Sequence, residues 1–328
     1  MSFLKDKSVL ITGGTGSFGK AFVSRIISDN EISRLVIFSR DELKQFEMAE
    51  KINSPKVRFF LGDVRDYQRL LQATHGVDVV VHAAAMKQIP AAEYNPMEAV
   101  KTNVIGAENI VNAAIANGVK KVIALSTDKA ANPANLYGAT KLCSDRLMIA
   151  GNTLAGTRET RFACVRYGNV LGSRGSVIPF FLEKAKSGSI PITDTRMTRF
   201  WLTINQGVQF VLDCLERMYG GEIFVPKIPS FKVIDVARVV CPDIPTHVIG
   251  IRPGEKLHEV MVTEDDAFNT VETKDFYAIL SPALKQLGIY DAISSKVPDG
   301  FRFSSDNNQS WHTDESFLRT LRENGILS

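Results

Sequence analysis

A short apolar run near the N-terminus leads directly into a loop of closely spaced glycines. The run is Ser8-Val9-Leu10-Ile11, and within the loop Gly14, Gly16 and Gly19 match the pattern G-x-G-x-x-G. The helix-period residues 20–28 follow. Such a loop lets the backbone approach a pyrophosphate at a helix N-terminus, where unpaired N–H groups and the helix dipole favour an anion. The sequence therefore predicts a dinucleotide-binding fold.

Further short apolar runs recur along the first half of the chain. They cover residues 35–38, 57–61, 77–82, 122–125 and 162–166. Helix-period segments separate them, and near-continuous apolar strands that alternate with helices indicate a sheet covered on both faces. We therefore predict an α/β fold with a doubly wound, parallel, Rossmann-like sheet and a second, smaller substrate-binding region.

The alternation of strands and helices weakens after about Gly168, where loops rich in Gly, Pro, Arg and Ser begin. We therefore divide the chain into two predicted domains. Residues 1–168 form the dinucleotide-binding domain, which elements within 204–228 complete. Residues 169–328 form a substrate-binding domain that is interleaved with the first.

The end of the second predicted strand indicates which dinucleotide is favoured. Ser39 stands where NAD-binding folds carry an acid for the ribose 2′-hydroxyl, and Arg40 and Lys44 follow it. Basic side chains can surround a 2′-phosphate with charge-assisted hydrogen bonds, so we predict NADP rather than NAD. Asp41 leaves the choice open, and the alternative is an exposed charged turn.

An acid, two amines and a phenol lie close together in the middle of the chain. Asp128 and Lys129 follow the strand at 122–125, and Tyr137 and Lys141 come soon after. Four residues apart on a helix, Tyr137 and Lys141 project from one face. A cation beside a phenol favours the phenolate, so Lys141 is expected to lower the pKa of Tyr137 and make it a base. The alternatives are a surface Tyr-Lys pair and an Asp-Lys ion pair without a catalytic role.

Three loops of the second region carry arginine next to turn-forming residues. They contain Arg174, Arg196 with Arg199, and Arg252, which Pro253-Gly254 follows. Arginines that face one cleft suit a pyrophosphate, because guanidinium groups form charge-assisted hydrogen bonds with phosphate oxygens. A nucleotide-linked substrate is therefore predicted, although each loop by itself would be an ordinary solvated turn.

Composition excludes several classes of function. The chain has 328 residues, a net charge of +3 and no run of like charge, which argues against a nucleic-acid partner. Five histidines lack metal-site spacing, so no metal is expected. No apolar run suits a signal peptide or a membrane span, so we expect a cytoplasmic protein without a membrane partner. Four cysteines without pair or metal spacing are expected to be reduced and buried: Cys143, Cys164, Cys214 and Cys241.

These motifs together resemble the extended short-chain dehydrogenases/reductases that act on nucleotide sugars. Within that group the chain is similar to the inverting UDP-N-acetylglucosamine 4,6-dehydratases of pseudaminic acid synthesis. Retaining sugar-nucleotide dehydratases carry glutamate after the aspartate, whereas the inverting group resembles this chain in carrying lysine, Lys129. The resemblance covers nearly the whole chain through the motifs Thr12-Gly13-Gly14-Thr15-Gly16, Leu125-Ser126-Thr127-Asp128-Lys129, Asn135-Leu136-Tyr137-Gly138-Ala139-Thr140-Lys141, Arg166-Tyr167-Gly168-Asn169-Val170 and Arg252-Pro253-Gly254-Glu255-Lys256.

The resemblance implies an oxidation and a reduction of one sugar through bound NADP. Tyr137 would remove the C4 hydroxyl proton while hydride passes to NADP⁺, and Thr127 would hold the C4 oxygen. A neutral Lys129 would take the acidified C5 proton, and Lys141, the nicotinamide charge and partial burial are expected to lower its pKa. Asp128, with a raised pKa, would protonate the leaving C6 hydroxyl. Hydride would return to C6, and C5 would be reprotonated on the opposite face.

Resemblance and position together place a larger set of residues around the two ligands. The predicted cofactor residues are Gly13, Thr15, Gly16, Ser17, Phe18, Gly19, Ser39, Arg40, Lys44, Asp63, Val64, Ala83, Ala84, Lys87, Tyr137 and Lys141. The predicted contacts of UDP-N-acetylglucosamine are Lys87, Asn169, Val177, Thr193, Arg199, Arg252 and Glu255. Extended members of the family are at least dimers, so the resemblance also implies a homo-oligomer, either a dimer or a hexamer.

Other functions remain open at this point. A UDP-sugar 4-epimerase would use Tyr137 and Lys141 without needing Asp128 and Lys129, and its product would have an unchanged mass. A non-inverting nucleotide-sugar dehydratase is a second alternative. A non-catalytic NADPH-binding regulator would keep the glycine loop but could lose Tyr137 and Lys141, whose presence argues against it.

Overall fold

Strands and helices alternate along most of the chain. The computed structural model describes residues 2–29, 31–173 and 175–327. The strands, in chain order, are β1 (Ser8–Thr12), β2 (Arg34–Ser39), β3 (Val57–Leu61), β4 (Val79–His82), β5 (Lys121–Leu125), β6 (Arg161–Val165), β7 (Asn169–Val170), β8 (Ile190–Ile192), β9 (Thr198–Leu202), β10 (Glu222–Pro226), β11 (Ser230–Lys232), β12 (Thr246–Val248), β13 (Val260–Val262), β14 (Thr270–Glu272), β15 (Phe276–Leu280), β16 (Ser295–Lys296) and β17 (Phe303–Ser304).

The helices flank these strands. They are α1 (Ser17–Asp29), α2 (Glu42–Lys51), α3 (Tyr67–Ala73), α4 (Ile89–Tyr94), α5 (Pro96–Val100), α6 (Gly106–Ala116), α7 (Leu136–Leu154), α8 (Val177–Ala185), α9 (Ile204–Arg217), α10 (Val233–Val240), α11 (Glu264–Ala267), α12 (Pro282–Gln286) and α13 (Asp314–Glu323). Shorter helical turns cover Ser2–Leu4, Lys101–Ile105 and Asp128–Ala130.

Ten strands of the described residues form one large sheet. Their order is β16-β14-β15-β10-β6-β5-β4-β1-β2-β3. The strands from β10 to β3 in this order run parallel, and β15, β14 and β16 add an antiparallel edge. From β1 the chain builds outward to β3 on one side and then returns to β4 on the other. The predicted doubly wound α/β fold is confirmed, and ligands bind such folds beyond the carboxyl ends of the strands where the order reverses.

Apolar burial explains why the central strands read as continuous hydrophobic runs. In β1, Val9, Leu10 and Ile11 are completely buried, as are Val80 and Val81 of β4. Side chains alternate between the two faces of a strand, so consecutive buried residues require cover on both faces. Removing this apolar surface from water is the main favourable contribution to folding.

The later part of the chain contributes to two hydrophobic cores. β10 extends the parallel sheet beside β6, and α9 packs against α1. β14, β15 and β16, which lie beyond residue 228, belong to the same sheet. A smaller cluster is formed by side chains that include Phe181, Trp201, Phe231, Phe317 and Leu321. The division of the chain into domains at residue 168 stays a prediction.

Local capping sets where α7 begins, and this helix carries the predicted phenol and amine. The side chain of Asn135 accepts a hydrogen bond from the backbone nitrogen of Gly138 at 2.8 Å. An N-cap of this kind satisfies one of the unpaired N–H groups of the first turn. Tyr137 is therefore the second residue of α7, and Lys141 follows one turn later.

The prediction that all four cysteines are buried is wrong for one of them. All four cysteines are free thiols, and Cys164, Cys214 and Cys241 are buried as expected. Cys143 is exposed, because its position on α7 faces away from the buried side of that helix. Across residues 2–29, 31–173 and 175–327, none of the helices has the length and apolarity needed to span a bilayer.

Candidate active site

The glycine loop and the carboxyl ends of the central strands enclose a cavity of about 770 Å³. Every residue that the sequence predicted at the cofactor lines this cavity. Gly13 has a φ of +66°, and a Cβ there would lie 2.9 Å from the backbone nitrogen of Ala84. Only glycine suits this position, since it tolerates a positive φ and lets the loop lie against the end of β4. The loop backbone is thereby left open towards the cavity.

Hydrogen bonds that include the buried side chain of His82 join the start of the glycine loop to the end of β4. The hydroxyl of Thr12 accepts hydrogen bonds from the backbone nitrogens of Ala83 and Ala84, both at 3.1 Å. Its proton is therefore donated to Nδ1 of His82, 2.8 Å away. Burial lowers the pKa of His82 to about 3, and the charge of Lys141 acts in the same direction. His82 is thus a neutral acceptor that aligns the two strand ends.

At the end of β2 the predicted 2′-phosphate residues border the cavity. The hydroxyl of Ser39 accepts hydrogen bonds from the Thr15 hydroxyl at 3.2 Å and from the Gln45 side chain at 3.1 Å. The Arg40 side chain is 66% exposed, and its guanidinium lies 3.8 Å from a carboxylate oxygen of Asp63. The side chain at position 39 is thus a hydroxyl, and the Arg40 guanidinium borders the same cavity beside Asp63.

Asp41, which left the choice of dinucleotide open, has a structural role. Its carboxylate caps α2 by accepting a hydrogen bond from the backbone nitrogen of Lys44 at 3.0 Å. The same carboxylate forms an ion pair with the Lys44 ammonium. Both contacts hold the Asp41 carboxylate at the N-terminus of α2.

Tyr137 and Lys141 line the cavity, where Lys141 is buried and Tyr137 is half-buried. The side chain of Thr127 lies next to the Tyr137 hydroxyl. Burial raises the pKa of Tyr137 to about 12, although Lys129 and Thr127 act to lower it. The predicted lowering by Lys141 is therefore wrong for the protein alone, because the cost of burying a phenolate exceeds the attraction of nearby cations. Burial also lowers the pKa of Lys141, against the opposing charge of Asp145.

Asp128 and Lys129 follow β5 and form a close pair. Lys129 Nζ donates a hydrogen bond to Asp128 Oδ1 at 3.0 Å, and the Thr127 hydroxyl donates to the same oxygen at 2.9 Å. Asp128 is fully buried, whereas Lys129 is 22% exposed and lines the cavity. Among the described residues Asp128 Oδ2 has no hydrogen-bond partner. The pair therefore has one member at the cavity wall and one directly behind it.

The ionisation of this pair agrees with the prediction for the acid but not for the base. Burial raises the pKa of Asp128, and Glu259 adds to that rise while Lys129 opposes it. Burial alone would lower the pKa of Lys129, but the carboxylates of Asp128 and Glu259 outweigh it and raise the value above its usual range. The expected lowering for Lys129 is therefore wrong for the protein alone, because two acids face its ammonium.

Some of the residues predicted to contact the nucleotide sugar line the cavity, and others do not. Lys87 and Asn169 line the cavity, and burial lowers the pKa of Lys87. The other predicted residues are not among the described residues that line it: Val177, Thr193, Arg199, Arg252 and Glu255. Their contact with the substrate stays a prediction.

The arginine loops do not converge as a group on the cavity. Arg199 is 7% exposed and donates to the backbone oxygens of Lys256 and Leu257 at 3.0 and 3.1 Å. Arg252 pairs with Glu255, and Arg196 pairs with Asp194. Arg174 lies outside the described residues.

Glu259 is a member of the site that the sequence analysis missed. Its Oε1 lies 3.3 Å from Lys129 Nζ and 3.8 Å from Arg199 Nε. It stands 130 residues after Lys129 in the chain and belongs to no motif used above. Its position three residues after Lys256 was the one available signal, since that motif had already been associated with the substrate.

Comparison with known proteins places the chain among enzymes of sugar-nucleotide metabolism. Residues 9–281 match the family described as polysaccharide biosynthesis protein. A protein of Campylobacter jejuni named UDP-N-acetylglucosamine 4,6-dehydratase (inverting) is 54% identical over 325 residues, which are 96% of this chain and 97% of its own. A protein of Rickettsia conorii named UDP-glucose 4-epimerase is 45% identical over 283 residues, 84% of this chain and 83% of its own.

A solved structure is similar over the full length. The X-ray structure of Pen from Bacillus thuringiensis covers 99% of this chain and 100% of its own, with a TM-score of 0.91 and 37% identity. The similarity therefore extends over nearly the whole chain, as the spread of the motifs predicted.

Proposed function

The chain belongs to the family of polysaccharide biosynthesis proteins, and on that basis we propose that it dehydrates UDP-N-acetylglucosamine between C4 and C6 with inversion at C5. The product would be a UDP-4-keto-6-deoxy-L-hexosamine. The observation that carries the proposal is the 3.0 Å contact of Lys129 Nζ with Asp128 Oδ1 beside Tyr137. Removal of water needs a base for C5 and an acid for the leaving hydroxyl, in addition to the phenol that serves oxidation at C4.

NADP is the proposed cofactor, and the residues of the cavity fit it. The open backbone at Gly13 suits a pyrophosphate, Ser39 leaves room for a 2′-phosphate, and Arg40 offers it a guanidinium. When bound, the nicotinamide would accept hydride from C4 and return it to C6. Mass spectrometry of the nucleotide released on denaturation tests this proposal, and recovery of NAD alone would contradict it.

Tyr137 is the proposed base for the C4 hydroxyl. With a pKa of about 12 it retains its proton in the protein alone. The ammonium of Lys129 acts to lower that pKa, so it would stabilise the phenolate that takes the C4 proton. Thr127 would also orient the C4 oxygen, since it lines the cavity with Tyr137 and its hydroxyl is held by Asp128.

Asp128 and Lys129 would supply the acid and the base together. Transfer of one proton from the Lys129 ammonium to the Asp128 carboxylate, along their 3.0 Å hydrogen bond, gives a neutral amine and a carboxylic acid. No proton has to enter or leave the site for this step. The amine would then take the C5 proton, and the acid would protonate the C6 hydroxyl, which leaves as water. Both side chains thereby return to their ionised forms, and when hydride returns to C6 the C5 carbon would take a solvent-exchanged proton on the face opposite to Lys129.

The reaction is tested by incubating the purified protein with UDP-N-acetylglucosamine in D₂O, followed by mass spectrometry and proton NMR. Loss of water, one deuterium at C5 and an L-configured ring are expected. Lys129→Met should abolish deuterium incorporation at C5, whereas Lys120→Met, which removes a surface lysine paired with Glu159, should not. Retained incorporation in Lys129→Met would remove this lysine from the proposed mechanism.

A UDP-sugar 4-epimerase is the second candidate, because a relative of that name is 45% identical. The epimerase reaction would use Tyr137 and Lys141 but leave the mass of the sugar unchanged. The Asp128-Lys129 pair favours dehydration, since epimerisation at C4 needs neither side chain. A product of unchanged mass with inverted C4 would decide for the epimerase.

We also propose a biosynthetic pathway, a cellular location and an oligomeric state for this protein. A 4-keto-6-deoxy-L-hexosamine linked to UDP suits the first step of pseudaminic acid synthesis in the cytoplasm. The protein is proposed to be a homo-oligomer, either a dimer or a hexamer. Light scattering at micromolar concentration tests the assembly, and a monomer would contradict it.

A further inference from the structure

A buried carboxylate from a distant part of the chain reaches the Asp128-Lys129 pair. Glu259 lies immediately before β13 and is 2% exposed. Its backbone nitrogen donates to the Ser305 hydroxyl at 2.9 Å, and its backbone oxygen accepts from the Ser305 nitrogen at 2.8 Å. The main chain at Glu259 is therefore fixed independently of what its side chain contacts.

The Glu259 carboxylate lies among three cations. Oε1 is 3.3 Å from Lys129 Nζ and 3.8 Å from Arg199 Nε, and Oε2 is 3.6 Å from Lys256 Nζ. Two of these cations are anchored by the backbone: Arg199 donates to Leu257 O at 3.1 Å, and Lys256 donates to Ala131 O at 2.7 Å. Within the described part of the chain, by contrast, the Lys129 ammonium pairs with carboxylate oxygens alone, one from Asp128 and one from Glu259.

We propose that Glu259 is a positioning residue for Lys129, whose ammonium it fixes next to Asp128 while Arg199 and Lys256 keep Glu259 ionised. This inference rests on the proposed dehydratase function. Without the second carboxylate the flexible lysine side chain would have a single anchor, and it could leave the geometry in which its proton passes to Asp128. A displacement of about 1 Å can lower a catalysed rate about 100-fold.

The same arrangement separates the roles of the two acids. Burial would raise the pKa of Glu259, but Lys129, Arg199 and Lys256 outweigh it and lower the value. Asp128 has a raised pKa, to which the negative charge of Glu259 contributes. Two neighbouring carboxylates with pKa values pushed apart can serve as one permanent anion and one proton carrier.

The charge of Glu259 should therefore set the pH range of turnover. The active pair holds one transferable proton, so activity falls at low pH when the pair gains a second proton at Asp128 and at high pH when Lys129 loses its own. Removing a negative charge lowers both of those pKa values. The titratable and charged groups that face Lys129 come from several elements: Asp128, Tyr137, Arg199, Lys256 and Glu259.

Glu259→Gln and Glu259→Asp test this inference through the pH profile of kcat/KM for water loss from UDP-N-acetylglucosamine. In Glu259→Gln both limbs should move to lower pH by about one to three units. Glu259→Asp keeps the charge with a shorter side chain, so kcat should fall while both limbs stay in place. A purely structural glutamate would lower the rate equally at all pH values. Unmoved limbs in Glu259→Gln, or moved limbs in Glu259→Asp, would overturn the proposal.

A matched control is available in Glu222, another buried glutamate. It accepts hydrogen bonds from the backbone nitrogens of Tyr219 and Gly220 at 2.7 and 2.9 Å, away from Lys129. Glu222→Gln should change stability without moving the pH limbs. If Glu259→Gln turns over too slowly, deuterium exchange at C5 of the isolated 4-keto product, followed over hours, gives its pH profile. Absence of water loss with the unaltered protein would contradict the dehydratase function itself, whereas unmoved limbs in an active protein contradict only the role of Glu259.

Discussion

Replacing Gly138 by alanine should damage catalysis although it adds a single methyl group to α7. Gly138 is the third residue of the helix, and a Cβ there would lie 2.2 Å from the carbonyl oxygen of Lys129. Ordinary contacts begin at 3.4 Å. The first turn of α7, which carries Tyr137, and the backbone of Lys129 must therefore move apart by about 1 Å, a displacement that can lower a rate about 100-fold.

The energetic cost follows from the same contact. Forcing an additional methyl group into a packed site costs about 1–3 kcal/mol. Alanine is favoured over glycine inside a helix by about 1 kcal/mol. The net loss of stability in Gly138→Ala should therefore be about 0–2 kcal/mol, below the roughly 2.7 kcal/mol of activation free energy to which a 100-fold loss in kcat corresponds.

The assay compares kcat for water loss, the dissociation constant of NADPH and urea unfolding. We expect kcat to fall about 100-fold while the affinity for NADPH changes little, because the glycine loop lies outside the contact. Gly207→Ala in α9 is the matched control, since a Cβ there would meet only Leu202 Cδ1, at 3.5 Å. Gly138→Ala with normal kcat, or Gly207→Ala with an equal loss, would refute the argument.

Three further predictions concern the phenol, the cofactor and the stability of the fold. Tyr137→Phe should lower kcat by about 10²–10⁴-fold with little change in NADPH affinity, as measured by turnover and titration, because it removes the base for C4; a normal kcat would exclude that role. Arg40→Ala should weaken NADP⁺ binding about 10- to 100-fold and leave NAD⁺ binding nearly unchanged in parallel titrations, since it removes a charge-assisted hydrogen bond; equal weakening of both would contradict the 2′-phosphate contact. The pKa of buried His82 is lowered to about 3, so the stability it contributes is present above its usual value of 6.5 and is lost as pH falls towards 3. Urea unfolding between pH 7 and pH 4 should show a loss of a few kcal/mol that His82→Asn reduces, because asparagine keeps an acceptor for Thr12 without gaining charge.

Much of the cavity that we assign to the cofactor could be predicted because its determinants are local. The turn at Gly13 and the apolar strand before it can be identified from a few consecutive residues. The same is true of Ser39, which stands where an acid would be expected. The carboxyl ends of parallel strands meet at one edge of the sheet, so residues after β2, β4 and β5 could be grouped before any distance was known. The cavity indeed brings together every residue in that prediction.

The ionisation states were less accessible to sequence analysis. The spacing of Tyr137 and Lys141 correctly placed both on one side of α7, but it carried no information on how deeply they are buried. Burial raises the pKa of Tyr137 against the nearby cations. For Lys129 the sequence showed one adjacent acid, whereas the fold adds Glu259 as a second.

The sequence by itself determined the class of fold, the cradle for a dinucleotide and the presence of an acid, a base and a phenol near one strand end. These features depend on residues close together in the chain, whose periodicity and backbone preferences act locally. Only the tertiary structure decided how those groups share protons. That outcome depends on burial and on charges within about 4–6 Å, and Glu259 reaches Lys129 only because folding joins the segment before β13 to the turn after β5.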